Sequence, residues 1–141
     1  REMEESELRD QLKGFGVSDE DLAKVGPGLV RALTKSAENM ATHRLVFEVV
    51  KAKNYMVGAQ KGQKIVMYGG VIDTNASDCP MCMGLVAPLL PSTIVFYDRC
   101  INGNVSDPMP EGVRCIDPGL DCPELGGLGE VLVSARIEPV S

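Results

Sequence analysis

The hydrophobic pattern of this chain changes at Arg44, and this change limits the folds that the chain can adopt. Before Arg44, apolar residues recur every three or four positions, which is the spacing of an amphipathic helix. They include Leu29, Leu33, Ala37 and Met40. After Arg44, residues 45–50 form a short β-branched run, which predicts a strand. Helices in the first part and strands in the second predict an α+β protein, with short N-terminal helices followed by a small antiparallel sheet.

Three short helices are predicted in the N-terminal part. The first covers residues 2–12, with acidic side chains at its start and Gly14 just beyond its end. Ser18 begins the second, which reaches about residue 25, because serine with an acidic residue three positions later is a capping pattern. The third follows the Gly-Pro-Gly break at 26–28 and ends near Thr42.

One long helix is predicted to interrupt the strands of the second part. Residues 65–68 predict a strand antiparallel to the first, and two segments near the C-terminus predict further strands. These are 113–116 and 130–138. Residues 78–102 predict the inserted helix, with Pro80 in its first turn. The rival interpretation of 93–97 is a strand, because Thr-Ile-Val-Phe-Tyr has high β propensity.

The length and net charge of the chain limit its domain organisation and the partners that can be expected. The 141 residues suit one compact domain, with a helical segment at 1–43 and an α+β core at 44–141. The formal net charge of −6 repels phosphate backbones, so nucleic acid is not an expected partner. The longest apolar stretch, at 81–90, contains Gly84 and Pro88 and is shorter than the ~20 residues that span a bilayer, so no membrane partner is expected.

The five cysteines are the residues on which chemistry is expected. They are Cys79, Cys82, Cys100, Cys115 and Cys122. Their number is odd, and the chain is large enough to fold without cross-links, so a disulfide framework is not expected. A reducing, cytoplasmic setting is predicted instead, where closely spaced cysteines bind metal or do redox work.

A metal site is the first hypothesis for these cysteines. Cys79 and Cys82 are three positions apart, so a turn can bring both sulfurs to one side of a soft cation. Cys100 would lie about 27 Å from Cys82 along an unbroken helix, so it is left out of the site. The strand end and loop that follow can fold back and supply two more thiolates. The predicted ligands of a structural zinc ion or an iron–sulfur cluster are therefore Cys79, Cys82, Cys115 and Cys122.

Two other interpretations of the cysteines stay open. Cys79 and Cys82 can form a redox dithiol, because a helix N-terminus lowers the pKa of a thiol. The cysteines can also be inert core residues of a metal-free interaction domain. Copper(I) is a variant of the metal hypothesis, since Met81 and Met83 offer thioethers beside Cys82, although their spacing also suits core packing.

Two further side chains, His43 and Arg99, are considered as candidates for a chemical role. His43, the single histidine, stands where the helices meet the first strand and is predicted to be a capping or surface residue. Arg99 directly precedes Cys100, so its guanidinium could lower the pKa of that thiol. The alternative for Arg99 is an ion pair at a helix end.

Three short motifs occur in a fixed order within residues 45–138. They are the Gly- and Lys-containing turn at 58–64, Cys79-Pro80, and Cys115-Ile116-Asp117 before the last strand. This order resembles a group of short uncharacterised proteins of anaerobic bacteria and archaea. The group would have a further cysteine before the turn, where this chain has Asn54 and Tyr55. The resemblance implies a cytoplasmic, anaerobe-like setting and no known activity.

These observations predict a small, non-catalytic accessory protein or subunit with a cysteine-ligated zinc ion or iron–sulfur cluster. Its acidic N-terminal helices are predicted to bind a protein partner or a second copy of the chain. The alternatives are a small thiol-redox enzyme that uses Cys79 and Cys82, and a metal-free interaction domain.

Overall fold

In the computed structural model, which describes residues 1–110 and 112–140, five strands form one antiparallel sheet. They are β1 (His43–Lys53), β2 (Lys64–Tyr68), β3 (Val71–Ile72), β4 (Val113–Arg114) and β5 (Glu130–Pro139). Their order across the sheet is β3-β2-β1-β5-β4. All neighbouring strands run antiparallel, as the sequence predicts.

The two longest strands form the centre of the sheet. β1 and β5 pair along nearly their whole length, from His43 opposite Pro139 to Lys53 opposite Glu130. Alternate residues of both strands pack into the core on the helix side of the sheet, and Val46 between two of them is buried as well. The most buried are Leu45, Phe47, Val49, Val131 and Val133.

Five α-helices lie within the described residues. They are α1 (Glu5–Gly14), α2 (Asp19–Leu22), α3 (Pro27–Thr42), α4 (Met83–Val86) and α5 (Leu90–Asn102). A 3₁₀ turn at Ala87–Leu89 joins α4 to α5. The buried face of α5 contributes to the core, α3 packs against α5, and α1 packs against α3. The predicted α+β architecture, with one long helical segment inserted among the strands, is confirmed. None of these helices combines the length and apolar character needed to cross a membrane.

Local signals in the N-terminal part work as the sequence predicts. The Ser18 hydroxyl accepts the backbone N–H of Asp21 at 3.1 Å and so caps α2. Pro27 occupies the first turn of α3, where its missing N–H costs no hydrogen bond. His43 ends α3, and its Nδ1 lies 3.2 Å from the Asn39 carbonyl oxygen. The predicted capping role of the histidine is therefore confirmed.

The predicted start of the inserted helix is wrong. The helix begins at Met83, and residues 78–82, including the proline, precede it. The backbone N–H of Cys79 donates to the Lys64 carbonyl of β2 at 3.2 Å, which ties this segment to the strand. The chain can turn into the helix only afterwards, and Cys82 becomes the N-cap.

The segment at 93–97 is helical, so the rival strand interpretation is wrong. It lies within α5, where Thr93, Phe96 and Cys100 recur at helical spacing and are all buried. Packing of this face against the sheet overrides the β propensity of the five residues.

Candidate thiol site

All five cysteines are free thiols, and their surroundings differ. Cys82 and Cys115 line one cleft, bounded by the loop after β1, the start of α4 and the loop after β4. Cys115 also belongs to the hydrophobic core, together with Cys79 and Cys100, which do not line the cleft. Cys122 is half-buried in the loop between β4 and β5.

Cys82 is held at the start of the inserted helix. Its carbonyl accepts the N–H of Leu85 at 2.9 Å and that of Val86 at 2.8 Å. Its φ of −91° and ψ of 132° are extended, as is usual at an N-cap. The side chain is half-buried and lines the cleft, so its sulfur stays within reach of a ligand.

Cys115 directly follows β4 and is fixed from two sides. Its N–H donates to the Val131 carbonyl of β5 at 3.1 Å, and the N–H of Ile116 donates to the Gly84 carbonyl at 3.0 Å. The second bond joins the end of β4 to α4. Gly84 leaves room for Ile116, because a Cβ added there would lie 3.1 Å from Ile116 Cγ1, while its 3.6 Å distance to the Cys115 Sγ would be an ordinary contact.

A tyrosine completes this group of side chains. Tyr55 follows β1 after Asn54, whose positive φ of 53° turns the chain away from the strand. Gly129 allows the ring to approach the backbone, because a Cβ there would lie 3.1 Å from Tyr55 Cδ2. The ring thus comes to lie in the same cleft as the two sulfurs.

The Tyr55 hydroxyl lies in the same cleft as both thiols. It is buried, and among the residues that the structure describes it has no partner with ordinary hydrogen-bond geometry. Burial raises the pKa of Tyr55 far above its usual value, and the interactions with Cys82 and Cys115 raise it further. The phenol therefore keeps its proton and is available to donate toward a sulfur.

The same hydroxyl has the opposite effect on Cys82. It lowers the pKa of the Cys82 thiol, and the backbone N–H groups of Gly84 and Leu85 lower it further, while burial opposes the shift without reversing it. The thiolate is the form of cysteine that attacks electrophiles and binds soft metals. Cys82 is therefore the activated thiol of the cleft.

The cleft has the size and lining of a small-molecule site. Its volume is about 530 Å³, within the usual range for ligand pockets. Apolar side chains form much of its lining: Met56, Val57, Ile116 and Leu128.

Asp117 organises the loop at one side of the cleft. Its Oδ1 accepts the backbone N–H groups of Gly119 at 3.0 Å and Leu128 at 2.9 Å, and its Oδ2 accepts that of Gly129 at 2.9 Å. These three bonds hold the pKa of Asp117 below its usual value. The carboxylate is thus engaged in fixing the loop that carries Cys115 and lines the cleft.

The two core cysteines have the properties of inert thiols. Burial raises the pKa of Cys100 to about 11 and also raises the pKa of Cys79. The possible lowering of the Cys100 pKa by Arg99 is not observed, because burial dominates. The guanidinium forms the ion pair expected at the helix end, with Asp107 at 3.3 Å.

The structure brings together two of the four cysteines predicted as metal ligands. Cys82 and Cys115 share the cleft, whereas Cys79 packs in the core and Cys122 lies in the loop after β4. Within residues 1–110 and 112–140, no three Cys, His, Asp or Glu side chains are grouped as ligands of a metal ion. The four-cysteine ligand set stays a prediction.

Neither Tyr55 nor Asp117 is predicted from the sequence as part of a site. A signal for Tyr55 was present, because the resemblance implies a cysteine where this chain has Asn54 and Tyr55. Asp117 was noted only within a motif, since its partners are backbone N–H groups of a glycine-rich loop that spacing alone does not locate.

No protein-family model, curated protein or solved structure matches this chain. Its function is therefore inferred from the geometry of the cleft.

Proposed function

We propose that this protein carries out thiol–disulfide exchange, with Cys82 as the attacking thiol and Cys115 as the resolving thiol. The observation that carries the proposal is that Cys82, Cys115 and the Tyr55 side chain line one open cleft. Cys82 is half-buried with a lowered pKa, and Cys115 is buried beside it. An accessible, low-pKa thiol next to a second thiol is the usual arrangement in redox-active cysteine pairs.

The exchange has two steps. The Cys82 thiolate attacks one sulfur of a substrate disulfide, forms a mixed disulfide and expels the first substrate thiolate. Cys115 then attacks the Cys82 sulfur, which forms a Cys82–Cys115 disulfide and releases the second substrate thiolate. The two protons of the protein thiols end on the two released thiols. Two thiols of a reducing cellular pool restore the protein dithiol, which agrees with the reducing setting expected from the sequence.

Tyr55 has a defined part in this scheme. By donating toward the Cys82 sulfur, its hydroxyl favours the thiolate that begins the reaction. The buried position of Cys115 favours first attack by Cys82.

Cys115 replaces Cys79 as the proposed partner of Cys82. Both thiols are buried, but Cys115 lines the cleft together with Cys82, whereas Cys79 does not line it. The Sγ of Cys79 is 3.7 Å from the Pro80 carbonyl oxygen, and burial raises its pKa, which disfavours its attack on the Cys82 sulfur.

The proposal is tested with less than one equivalent of dithiodipyridine, a small chromogenic disulfide. We expect the wild-type protein to release two pyridine thiols per probe consumed and to lose two hydrogens in mass. We expect Cys115→Ser to release one pyridine thiol per probe and to retain the second as a mixed disulfide on Cys82. The Cys79→Ser variant, as the matched control, should behave like the wild type. Retention of the probe by the wild type, or a Cys79–Cys82 link in its peptide map, would contradict the proposal.

A cysteine-ligated metal is the second candidate, as expected from the sequence for an accessory protein with zinc or an iron–sulfur cluster. It is favoured by the fact that two of the predicted ligands, Cys82 and Cys115, face one cleft. Elemental analysis and a visible spectrum of protein purified without oxygen test it. About one zinc ion, or iron with labile sulfide, per chain would support this function, and metal-free protein that still performs the exchange would argue against it.

The predicted contact of the N-terminal helices with a partner or a second copy stays a prediction. Two large apolar side chains support it, since Phe15 is 85% exposed and Leu29 is 53% exposed. Sedimentation of the wild type and of Phe15→Ser tests self-association directly. If both proteins are monomers, this surface does not mediate self-association, and its partner would have to be a different protein.

A further inference from the structure

We infer that the substrate of the cleft is the disulfide of a small, uncharged, apolar thiol. This inference rests on the exchange reaction proposed above and concerns the same site. It is drawn from the lining, the charge and the size of the cleft.

The lining of the cleft is apolar and open to solvent. Ile116 is 74% exposed and Met56 is 87% exposed, although both side chains border the cleft. Val57 and Leu128 add further exposed apolar surface on the same walls. An apolar ligand group that covers these side chains would remove their apolar surface from water, which favours binding.

The charge of the cleft disfavours an anionic substrate. None of the described residues that line it is a lysine or an arginine, and its one charged lining residue is Asp117. The guanidinium of Arg114 lies nearby but donates to the Pro118 carbonyl at 3.2 Å. The net charge of the whole chain is −6, which adds to the repulsion of anions. A disulfide that carries carboxylates would meet no positive partner in the cleft.

The size of the cleft points to a small molecule. Its volume of about 530 Å³ holds a ligand of one or two rings. Gly84 forms part of its wall, and a Cβ added there would crowd the neighbouring wall residue Ile116 at 3.1 Å.

Two aromatic disulfides of similar size but different charge test whether the cleft discriminates against anionic substrates. Dithiodipyridine is uncharged, and dithiobis(nitrobenzoate) carries two carboxylates. The rate at which each disulfide reacts with Cys82 is measured in the Cys122→Ser variant. It is then divided by the rate at which the same disulfide reacts with a small neutral thiol in solution. We expect this normalised rate to be at least about tenfold higher for the uncharged probe.

The two possible failures are distinguishable. Equal normalised rates, or a faster anionic probe, would overturn the inference about the substrate even if both probes yield the Cys82–Cys115 disulfide. Retention of either probe as a stable mixed disulfide on the wild type would instead overturn the exchange reaction itself.

A variant of the cleft wall provides a second readout. Gly84→Ala adds a Cβ 3.1 Å from Ile116 Cγ1, so this wall side chain has to shift; the variant should slow dithiodipyridine severalfold, while iodoacetamide, which is smaller, keeps its rate with Cys82. Gly28→Ala in α3, where an added Cβ meets nothing within 4 Å, is the matched control. An unchanged dithiodipyridine rate in Gly84→Ala would show that the probe does not enter the cleft and would overturn the inference.

Discussion

Cys82 and Cys100 lie near opposite ends of one helical segment, yet their thiols differ in the properties that govern reactivity. Cys82 is half-buried at a cleft, where the Tyr55 hydroxyl and two backbone N–H groups lower its pKa. Cys100 is 0% exposed in the core, and burial raises its pKa to about 11. Because the residue type is the same, the surroundings decide which thiol can react.

The same contrast divides the Cys-Pro-Met-Cys motif. Cys79 lies on the core side because its N–H is bound to the Lys64 carbonyl of β2. Cys82 lies at the cleft because it caps α4. Two cysteines with the spacing of a shared site are thus placed in the two opposite environments, and the partner of Cys82 comes from a distant part of the sequence.

The strongest test of the contrast is the removal of the activated thiol. We expect Cys82→Ser to lose the fast phase of labelling by iodoacetamide at neutral pH, so that labelling becomes roughly tenfold slower or more. Cys100→Ser should keep the fast phase, because that thiol is buried and protonated. Mass spectrometry of samples quenched over time provides the rates, and a fast phase that survives in Cys82→Ser would contradict the assignment.

The same two substitutions should have the reverse order of effects on stability. Cys100→Ser places a hydroxyl in the apolar core, so we expect a loss of about 1–2 kcal/mol in the free energy of unfolding. Cys82→Ser should change it by less than about 0.5 kcal/mol, or increase it, because serine is a favoured N-cap. Urea unfolding followed by circular dichroism measures both, and equal losses would remove the distinction between cleft and core.

Substitution of the tyrosine sharpens the contrast further. Tyr55→Phe removes the group that lowers the pKa of Cys82, so we expect the pH profile of iodoacetamide labelling to move to higher pH. Labelling at neutral pH then slows, while the rate at high pH is unchanged. The free energy of unfolding should change little, because the lost hydroxyl has no partner of ordinary geometry among the described residues.

Tyr68→Phe is the matched control for this substitution. Its ring lies under the Arg44 guanidinium, at 3.7 Å, and not in the cleft. An identical pH profile in Tyr55→Phe and the wild type would mean that the hydroxyl does not act on Cys82.

The smallest expected effect concerns the loop that borders the cleft. The folded-state pKa of Asp117 lies below its ordinary value of 3.8, so its contribution to stability is present above pH 3.8 and is lost as the pH falls through the lower folded-state value. Asp117→Asn should lack this part of the acid dependence. Urea unfolding at pH values on both sides of 3.8 compares the two proteins, and identical slopes would contradict a structural role for the carboxylate.

Much of the fold follows from local sequence patterns. The apolar spacing of α3, the Ser18 cap and the β-branched core of β1 each contain enough information to predict their elements. The start of the inserted helix is not predictable in this way, because it depends on a hydrogen bond from Cys79 to the neighbouring strand. The error in that boundary placed the two cysteines of the motif on one helix turn.

The site is less predictable than the fold. Cys82 and Cys115 were both identified as candidates, because soft side chains are few in this chain. The grouping with Tyr55 depends on the positive φ of Asn54 and on the space beside Gly129, which bring three distant segments together. No spacing within one segment contains that information.

Cys82 is expected to be reactive because it lines the cleft, whereas Cys79 and Cys100 are expected to be unreactive because they are buried. A map of thiol reactivity in the native protein tests this most directly. The native protein is labelled briefly with light iodoacetamide, unfolded, labelled with the heavy form and mapped by peptide. We expect Cys82 to acquire the light label first, ahead of the half-buried Cys122, with Cys79 and Cys100 labelled only after unfolding. Light label on Cys79 or Cys100 at the rate of Cys82 would contradict the account.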